Sequence, residues 1–211
     1  IFCTVVDNFG DIGVTWRLAK QLVHEHGLPV RLWVDDMASF ARICPELDPQ
    51  LAQQVCQGVD IRHWPAHFPE EWQPGSVVIE AFACELPATA RQNMAKSPTP
   101  PLWLNLEYLS AEPWIDECHG LPSLQQNGLN KFFFFPGFSP RSGGLLCEGS
   151  LTTERQQWQG SPARRQALLA DFGLPEQPAH TRYISIFTYE SAALPALLTH
   201  WRDGQLPICC L

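Results

Sequence analysis

The chain has 211 residues, of which 45% are hydrophobic and 17% are charged, and it carries 8 Trp and 12 Phe. Such a chain can bury a sizeable core in one or two domains, and its aromatic content excludes intrinsic disorder. The formal net charge is −8 and no basic patch stands out, which argues against a nucleic-acid binder and favours a partner that presents Lys or Arg. No apolar run approaches the roughly 18 residues that cross a bilayer, so we predict no membrane association.

Both ends of the sequence bear on how much of a protein it represents. The chain begins at Ile1 without a basic segment ahead of an apolar one, which predicts that there is no signal peptide. It ends at Leu211 inside a predicted strand. We therefore expect the chain to be a truncated part of a longer protein.

Eight cysteines raise the question of a disulfide or zinc framework. No CxxC pair occurs, and most cysteines stand in apolar surroundings, as buried free thiols do. His63 and His67 stand four positions apart, but Pro65 between them breaks the helix that would direct both at one metal. We predict reduced structural cysteines, no metal and a cytoplasmic location.

Predicted strands alternate with predicted helices along the first 135 residues. Apolar, β-branched runs predict strands at 1–6, 30–34, 59–64, 76–83, 101–109 and 131–135, the last with four core phenylalanines. Val14, Leu18 and Leu22 predict the apolar face of a helix that ends at Gly27. Further helices are predicted after Asp36, which can cap one, from 87 to 96, and shortly after 110. The alternation predicts a parallel sheet covered by helices, the doubly wound α/β class.

The second part of the sequence is organised differently. Turn signals and a polar helix predicted at 151–172 indicate a connection between two lobes. A strand at 183–187, a helix at 191–202 and a strand at 206–211 then open a second α/β unit. We therefore predict a lobe at 1–150, a connecting helical segment at 151–180 and the beginning of a second lobe at 181–211.

The first loop of the predicted sheet carries the candidate site. Asp7 and Asp11 stand there beside Gly10 and Gly13. Open α/β sheets bind ligands above such loops, glycines allow a close approach, and the helix start favours anions. The spacing matches GxGxxG poorly and excludes the phosphate-binding P-loop. Local sequence leaves open a purely structural pair, with Asp11 as helix cap and Asp7 in the turn, and a methyltransferase.

The segment from Phe2 to Ala19 resembles the N-terminal signature of the elongation factor P arginine rhamnosyltransferases. Segments 32–36, 78–87, 103–112, 134–139 and 142–145 fit the same family in order, and the similarity resumes at Phe187–Tyr189. The resemblance implies a GT-B fold of two Rossmann-like lobes, the first binding the protein acceptor and the second binding dTDP-β-L-rhamnose. It implies transfer of rhamnose to an arginine of elongation factor P with inversion.

The resemblance also implies roles for single residues. Asp11 matches the family's proposed base, Asp7 its second carboxylate, and Tyr189 a tyrosine that contacts the nucleotide-sugar. Gly10 and Gly13 are the other predicted donor-binding residues. The predicted acceptor-binding residues are Asn8, Glu107, Tyr108 and Gly143. A helix N-terminus can stabilise the leaving diphosphate, so we predict no cofactor and no metal.

Several alternatives remain open at this stage. Glu107 and Tyr108 would equally suit a satisfied polar pair at the sheet edge, and Gly143 an ordinary turn. The family's other donor-binding residues lie outside this chain, so the chain by itself is expected to hold the acceptor half and to be inactive alone. A non-catalytic α/β module that binds a translation factor is the alternative function, and a sugar-nucleotide enzyme with a small-molecule acceptor is a third.

Overall fold

The computed structural model describes residues 1–6, 9–125, 128–178, 180–186, 188, 191–204 and 207–210. The chain divides into two compact units, Ile1–Gly149 and Ser150–Leu211.

An eight-stranded sheet with the order β3-β4-β2-β1-β5-β6-β8-β7 forms the first unit. Its strands are β1 (Phe2–Cys3), β2 (Arg31–Val34), β3 (Gln53–Cys56), β4 (Val59–His63), β5 (Val77–Ala81), β6 (Leu102–Leu106), β7 (Pro122–Leu124) and β8 (Asn130–Phe134). The inner strands pair in parallel, whereas β3 and β7 pair antiparallel at the two edges. This sheet confirms the predicted α/β class.

Helices cover both faces of the sheet. Neighbouring residues of a strand point to opposite faces, so each strand contributes side chains to a core on either side. Cys3 of β1 and Leu32 of β2 belong to a core cluster with the helices α1 (Gly10–His24) and α2 (Met37–Ile43). Phe2 and Trp33 belong to a second cluster with α3 (Ala88–Lys96). The arrangement is therefore doubly wound, with α4 (Ile115–Cys118) as a short addition between β6 and β7.

Helix α1 buries a different face from the predicted one. Ile12, Trp16 and Ala19 are its buried apolar residues, whereas Val14 is 39% exposed. The prediction from Val14, Leu18 and Leu22 was wrong, since Trp16 meets Phe40 of α2 edge to face, with ring centroids 5.3 Å apart. The predicted cap is confirmed, because the Asp36 side chain accepts a hydrogen bond from the Ser39 N–H at 2.9 Å.

The edges of the sheet also depart from the predictions. Strands β3 and β7 were not predicted, because both are short and largely exposed. Strand β1 covers two residues rather than the predicted six. The phenylalanines at 132–134 are half-buried rather than core, since β8 lies next to the edge strand β7, and Phe135 is buried.

The second unit contains α5 (Leu151–Gln159), α6 (Pro162–Asp171), β9 (Arg182–Ile184), α7 (Leu194–Asp203) and β10 (Ile208–Cys210). The single helix predicted at 151–172 is two helices, because the Ser161 side chain caps a new start at Pro162. Strands β9 and β10 pair in parallel across α7, as a βαβ unit does. Among the described residues, no helix is both long and apolar enough to span a bilayer.

An ion pair fastens the end of the first unit to α1. Arg17 donates to both carboxylate oxygens of Glu148, at 2.8 and 2.7 Å. These hydrogen bonds lower the pKa of Glu148 from 4.5 to about 2. A lowered folded-state pKa stabilises the fold above the unfolded pKa, and that contribution is lost as the pH falls from 4.5 towards 2.

Arg17→Met is therefore expected to lower the free energy of unfolding at pH 7 by about 1 kcal/mol, a modest value because both side chains are partly exposed. The loss should shrink as the pH falls below about 4.5. Urea unfolding of both proteins between neutral and acidic pH measures it. Arg141→Met, at an exposed arginine, is the matched control, and a loss for Arg17→Met that does not vary with pH would contradict the assignment.

Candidate functional site

A pocket of about 300 Å³ opens in the first unit at the carboxyl ends of β1, β5 and β6. Its lining residues are Thr4, Val6, Asp11, Phe82, Ala83, Cys84, Glu85 and Tyr108. Open α/β sheets bind their ligands at this edge, because the loops that lead into the helices meet there. The pocket is therefore the candidate site of the first unit.

A larger cavity, of about 640 Å³, lies in the second unit. Pro178 and His180 ahead of β9 and Gly204 and Pro207 ahead of β10 belong to its lining, so most of the cavity lies towards the amino ends of these strands. That edge is opposite to the one where parallel α/β sheets bind ligands. The smaller pocket of the first unit is the better candidate.

Asp11 is a buried carboxylate that lines the pocket, with 2% of its surface exposed. One carboxylate oxygen accepts a hydrogen bond from the Val6 N–H at 3.1 Å, and the other accepts one from the Tyr108 hydroxyl at 2.7 Å. The helix begins at Gly10 with Phe9 at the N-cap position, so Asp11 is not the cap. Its side chain is instead held by backbone and phenol donors at the edge of the pocket.

The opposite wall of the pocket is a strained turn after β5. Phe82, Ala83 and Glu85 adopt the left-handed conformation, with φ between 51° and 55°. Such a conformation costs roughly 1–3 kcal/mol for each non-glycine residue and occurs mainly at functional sites. The turn is held by N–H groups that donate to the Leu106 carbonyl (from Phe82, 2.7 Å) and to the Glu80 carboxylate (from Glu85, 3.1 Å).

Two aromatic rings from this turn and from the end of β6 stack beside Asp11. Phe82 and Tyr108 have ring centroids 4.3 Å apart and an interplanar angle of 14°. Tyr108 is 55% exposed, so the stack faces solvent at the mouth of the pocket. The Tyr108 hydroxyl reaches Asp11 from this position, which joins the aromatic wall to the carboxylate.

The described lining of the pocket is anionic. Asp11 and Glu85 contribute carboxyl groups, and none of the described lining residues is Lys, Arg or His. Burial raises the pKa of the Cys84 thiol to about 12, so this cysteine stays protonated at neutral pH and is a poor nucleophile. Carboxylates beside an aromatic wall suit a planar cation, which they bind through charge-assisted hydrogen bonds and stacking.

Asn105 links the strained turn to Glu107. Its side-chain oxygen accepts the Ala83 N–H at 3.1 Å, and its amide donates to the Glu107 carboxylate. Asn105 is 1% exposed, so the network is buried on the side of β6. Glu107 lies behind the turn and does not line the pocket, whereas its neighbour Tyr108 does.

The predicted glycines have distinct surroundings. A Cβ atom at Gly143 would lie 2.5 Å from the Phe134 ring and 3.0 Å from His119, so this position requires glycine for packing. Gly143 is not among the lining residues of the pocket. At Gly10 and Gly13 a Cβ atom would meet no described atom within 4 Å, which leaves the start of α1 open.

Sequence reasoning missed part of the site, and part of its predictions lies outside the described residues. Asp7, Asn8 and Tyr189 fall outside the part of the chain that the structure describes. The missed residues are the turn at 82–85 and Asn105. The only available signal was that 82–85 spans the carboxyl end of the strand predicted at 76–83, as the Asp7–Gly13 loop follows the strand predicted at 1–6.

A doubly wound sheet with a buried carboxylate and an anionic, aromatic pocket at its carboxyl edge is the arrangement of an α/β domain with a candidate ligand-binding site. The sequence profile described as "Elongation-Factor P (EF-P) rhamnosyltransferase EarP" matches residues 1–211. The chain therefore belongs to the EarP family.

Individual relatives agree with this assignment. The chain is 58% identical to a protein-arginine rhamnosyltransferase of Pseudomonas putida over 204 residues, covering 97% of the chain and 52% of the relative. It is 53% identical to the protein of the same name from Shewanella oneidensis over 207 residues, covering 96% of the chain and 52% of the relative. The chain thus spans about half the length of the curated relatives it matches.

A solved structure supports the fold as well. Its description reads "Structural basis for EarP-mediated arginine glycosylation of translation elongation factor EF-P". The similarity has a TM-score of 0.51 at 31% sequence identity and covers 100% of this chain and 47% of the other.

Proposed function

We propose that this chain is the acceptor-binding half of a protein-arginine rhamnosyltransferase that transfers rhamnose from dTDP-β-L-rhamnose to an arginine of elongation factor P. Membership of the EarP family and relatives named for this activity support the proposal. The observation that carries it is the anionic pocket with a stacked aromatic wall at the carboxyl edge of the sheet. A guanidinium is the protein side chain that such a pocket fits best.

The chemistry requires a carboxylate where Asp11 stands. A guanidinium has a pKa above 12 and delocalised lone pairs, so it is a poor nucleophile until it loses a proton. Asp11 orients the guanidinium by a hydrogen bond, and accepts its proton as the nitrogen attacks the anomeric carbon. The bond from that carbon to the diphosphate oxygen breaks on the opposite face, so the configuration inverts and dTDP leaves with the electron pair.

The donor side of the proposal rests on the resemblance to the family. The proposed fold is GT-B, in which the βαβ unit of the second compact unit begins a Rossmann-like donor lobe. Tyr189 would contact the nucleotide-sugar, and the open start of α1 at Gly10 and Gly13 would admit the donor. Asp7 would serve as the second carboxylate and Asn8 as an acceptor contact. The free N–H groups at the start of α1 would stabilise the negative charge of the leaving diphosphate, so we propose neither cofactor nor catalytic metal.

A protein acceptor suits the surroundings of the pocket. Exposed apolar side chains continue outwards from Tyr108, with Leu109 at 54% and Phe138 at 66% exposure. A β-bridge pairs Ser110 with Gly137, so their neighbours Leu109 and Phe138 lie on adjacent segments. An apolar rim around an anionic pocket is typical of a surface that binds a folded protein through a basic residue. A translation factor as partner places the enzyme in the cytoplasm.

Intact-mass spectrometry of elongation factor P tests the proposal. The factor is incubated with dTDP-β-L-rhamnose and either this chain or a polypeptide extended to the length of the relatives. A gain of one deoxyhexose with the extended polypeptide, located on an arginine, is the expected result. No gain with either polypeptide, together with binding of the factor that is indifferent to the sugar nucleotide, would favour the non-catalytic binding module instead.

Tyr108 is expected to position Asp11 rather than to react. Tyr108→Phe removes the 2.7 Å hydrogen bond to Asp11 but keeps the ring that stacks on Phe82. Transfer should fall about tenfold in kcat with little change in the KM of the acceptor, as for the loss of one hydrogen bond to a charged group. Tyr108→Leu, which also removes the stack, should raise that KM in addition. Equal KM values in the two variants would contradict the role of the aromatic wall.

A further inference from the structure

A cluster of metal-ligating side chains lies away from the pocket, at the opposite edge of the sheet. The sulfur atoms of Cys44 and Cys56 and a carboxylate oxygen of Glu46 all lie within 4.8 Å of one another. Cys44 follows α2, and Cys56 pairs with Val59 at the beginning of β4. Because β4 is parallel to β2, the cluster lies at the amino edge of the strands, whereas Asp11 lies at the carboxyl edge.

Tight turns fix the backbone of the three candidate ligand residues. Cys44 and Glu46 share the turn at 44–47, which is closed by a hydrogen bond from the Leu47 N–H to the Cys44 carbonyl at 3.0 Å. Cys56 ends β3 at a two-residue hairpin whose central residues, Gln57 and Gly58, both have positive φ. A hairpin of this kind fixes the register of its strands, so the position of Cys56 is set by the backbone.

Burial separates the roles of the three side chains. Cys44 and Cys56 are 2% and 6% exposed, whereas Glu46 is exposed. The sulfur atoms therefore lie at the rim of the core, and the carboxylate closes the cluster on the solvent side. A cation would reach the cluster from solvent past Glu46, and water could complete its coordination there.

We propose that Cys44, Glu46 and Cys56 bind a thiophilic divalent cation, with Zn²⁺ as the expected ion and water as the fourth ligand. Two thiolates and a carboxylate suit Zn²⁺, whose bonds of ~2.3 Å to sulfur and ~2.0–2.2 Å to oxygen put tetrahedral ligands roughly 3.6–3.8 Å apart. The observed limit of 4.8 Å leaves at most about an ångström to close, which side-chain rotation supplies. Binding displaces one proton from each thiol to solvent, and no oxidant is needed.

Such an ion would act structurally. It would join the end of α2 to the β3–β4 hairpin, and so secure the antiparallel edge strand that the hairpin carries. The proposal departs from the sequence-based prediction of no metal at this cluster alone. The cluster is remote from the pocket and takes no part in the proposed transfer, so the proposal of metal-free chemistry at Asp11 is unaffected. A ligand that binds the folded state alone also stabilises it.

Titration of the reduced chain with Zn²⁺ against a chromophoric chelator tests the site, with Co²⁺ as a spectroscopic probe. One equivalent of Zn²⁺ should bind, and Co²⁺ should give a sulfur-to-cobalt charge-transfer band. Cys56→Ser removes one of the two thiolates, so it should weaken that band and lower the Zn²⁺ affinity by more than the ~10–100-fold that is lost with an outer-shell partner. Glu46→Gln, an exposed and conservative change, should weaken affinity by about tenfold or more without unfolding the chain.

Cys147→Ser, at an exposed cysteine outside the cluster, is the matched control and should leave affinity unchanged. The proposal is overturned if no stoichiometric Zn²⁺ binds to the reduced chain. It is also overturned if Glu46→Gln and Cys56→Ser both bind Zn²⁺ as the unmodified chain does.

Discussion

Asp11→Asn, introduced into the extended enzyme, is expected to slow rhamnosyl transfer to elongation factor P by about 10²–10⁴-fold, the usual worth of a general base. The amide oxygen can still accept the hydrogen bond from the Val6 N–H, and the amide NH2 group can donate to the Tyr108 hydroxyl, which then acts as acceptor, so the fold should survive. The amide cannot take the guanidinium proton. Single-turnover transfer followed by intact-mass spectrometry measures the rate of the chemical step.

The control for this variant is Glu70→Gln, an isosteric change at an exposed carboxyl group that does not line the pocket. It should leave the transfer rate unchanged. Circular dichroism of the Asp11→Asn protein should match that of the unmodified enzyme. Transfer within about twofold of normal by a folded Asp11→Asn protein would refute the assignment of Asp11 as base, since a base contributes at least ~10²-fold.

Lys131→Met is expected to lower the free energy of unfolding by about 3 kcal/mol, the low end for breaking a buried ion pair. The Glu80 carboxylate is 1% exposed, and the Lys131 ammonium lies 3.3 Å from it. Trp103 and the Glu85 N–H also donate to this carboxylate, at 3.1 Å each. Without Lys131 the buried charge keeps these hydrogen bonds but loses its counter-ion.

Urea unfolding at neutral pH measures the change, and a double-mutant cycle assigns it. Adding Glu80→Gln to Lys131→Met should recover part of the lost stability, because the buried group is then neutral; its single carbonyl oxygen keeps only one of the two N–H donors paired. Lys96→Met removes the same charge from an exposed helix position and should change stability by less than about 0.5 kcal/mol. A double variant no more stable than Lys131→Met would contradict an uncompensated charge as the cause.

Local patterns in the sequence were sufficient for the fold class and for choosing the loop after the first strand as a candidate site. The alternation of strands and helices could be predicted because the spacing of apolar residues and the turn residues are both local signals, which extend over a few positions. The parallel α/β class therefore followed without tertiary information. The Asp7–Gly13 loop could be proposed as a site because the carboxyl end of the first strand is where open sheets bind ligands. Sequence also predicted the Asp36 cap, which acts across three residues.

Edges and faces were harder to predict, because they depend on neighbours that are distant in the sequence. The apolar face of α1 was misassigned since Trp16 meets Phe40, which belongs to another helix. The phenylalanines at 132–134 are half-buried because β8 lies one strand from the sheet edge, a matter of strand order rather than composition.

Only the tertiary structure assembled the sites. Asp11 and Tyr108 are 97 residues apart, and the parallel pairing of β1, β5 and β6 brings them within hydrogen-bonding distance. Cys44 and Cys56 carry no CxxC spacing and meet because a turn and a hairpin face each other. The sequence by itself determined which side chains were available and which short segments form elements. The order in which the strands pair decided which of these side chains meet, because strand pairing depends on the packing of the whole core.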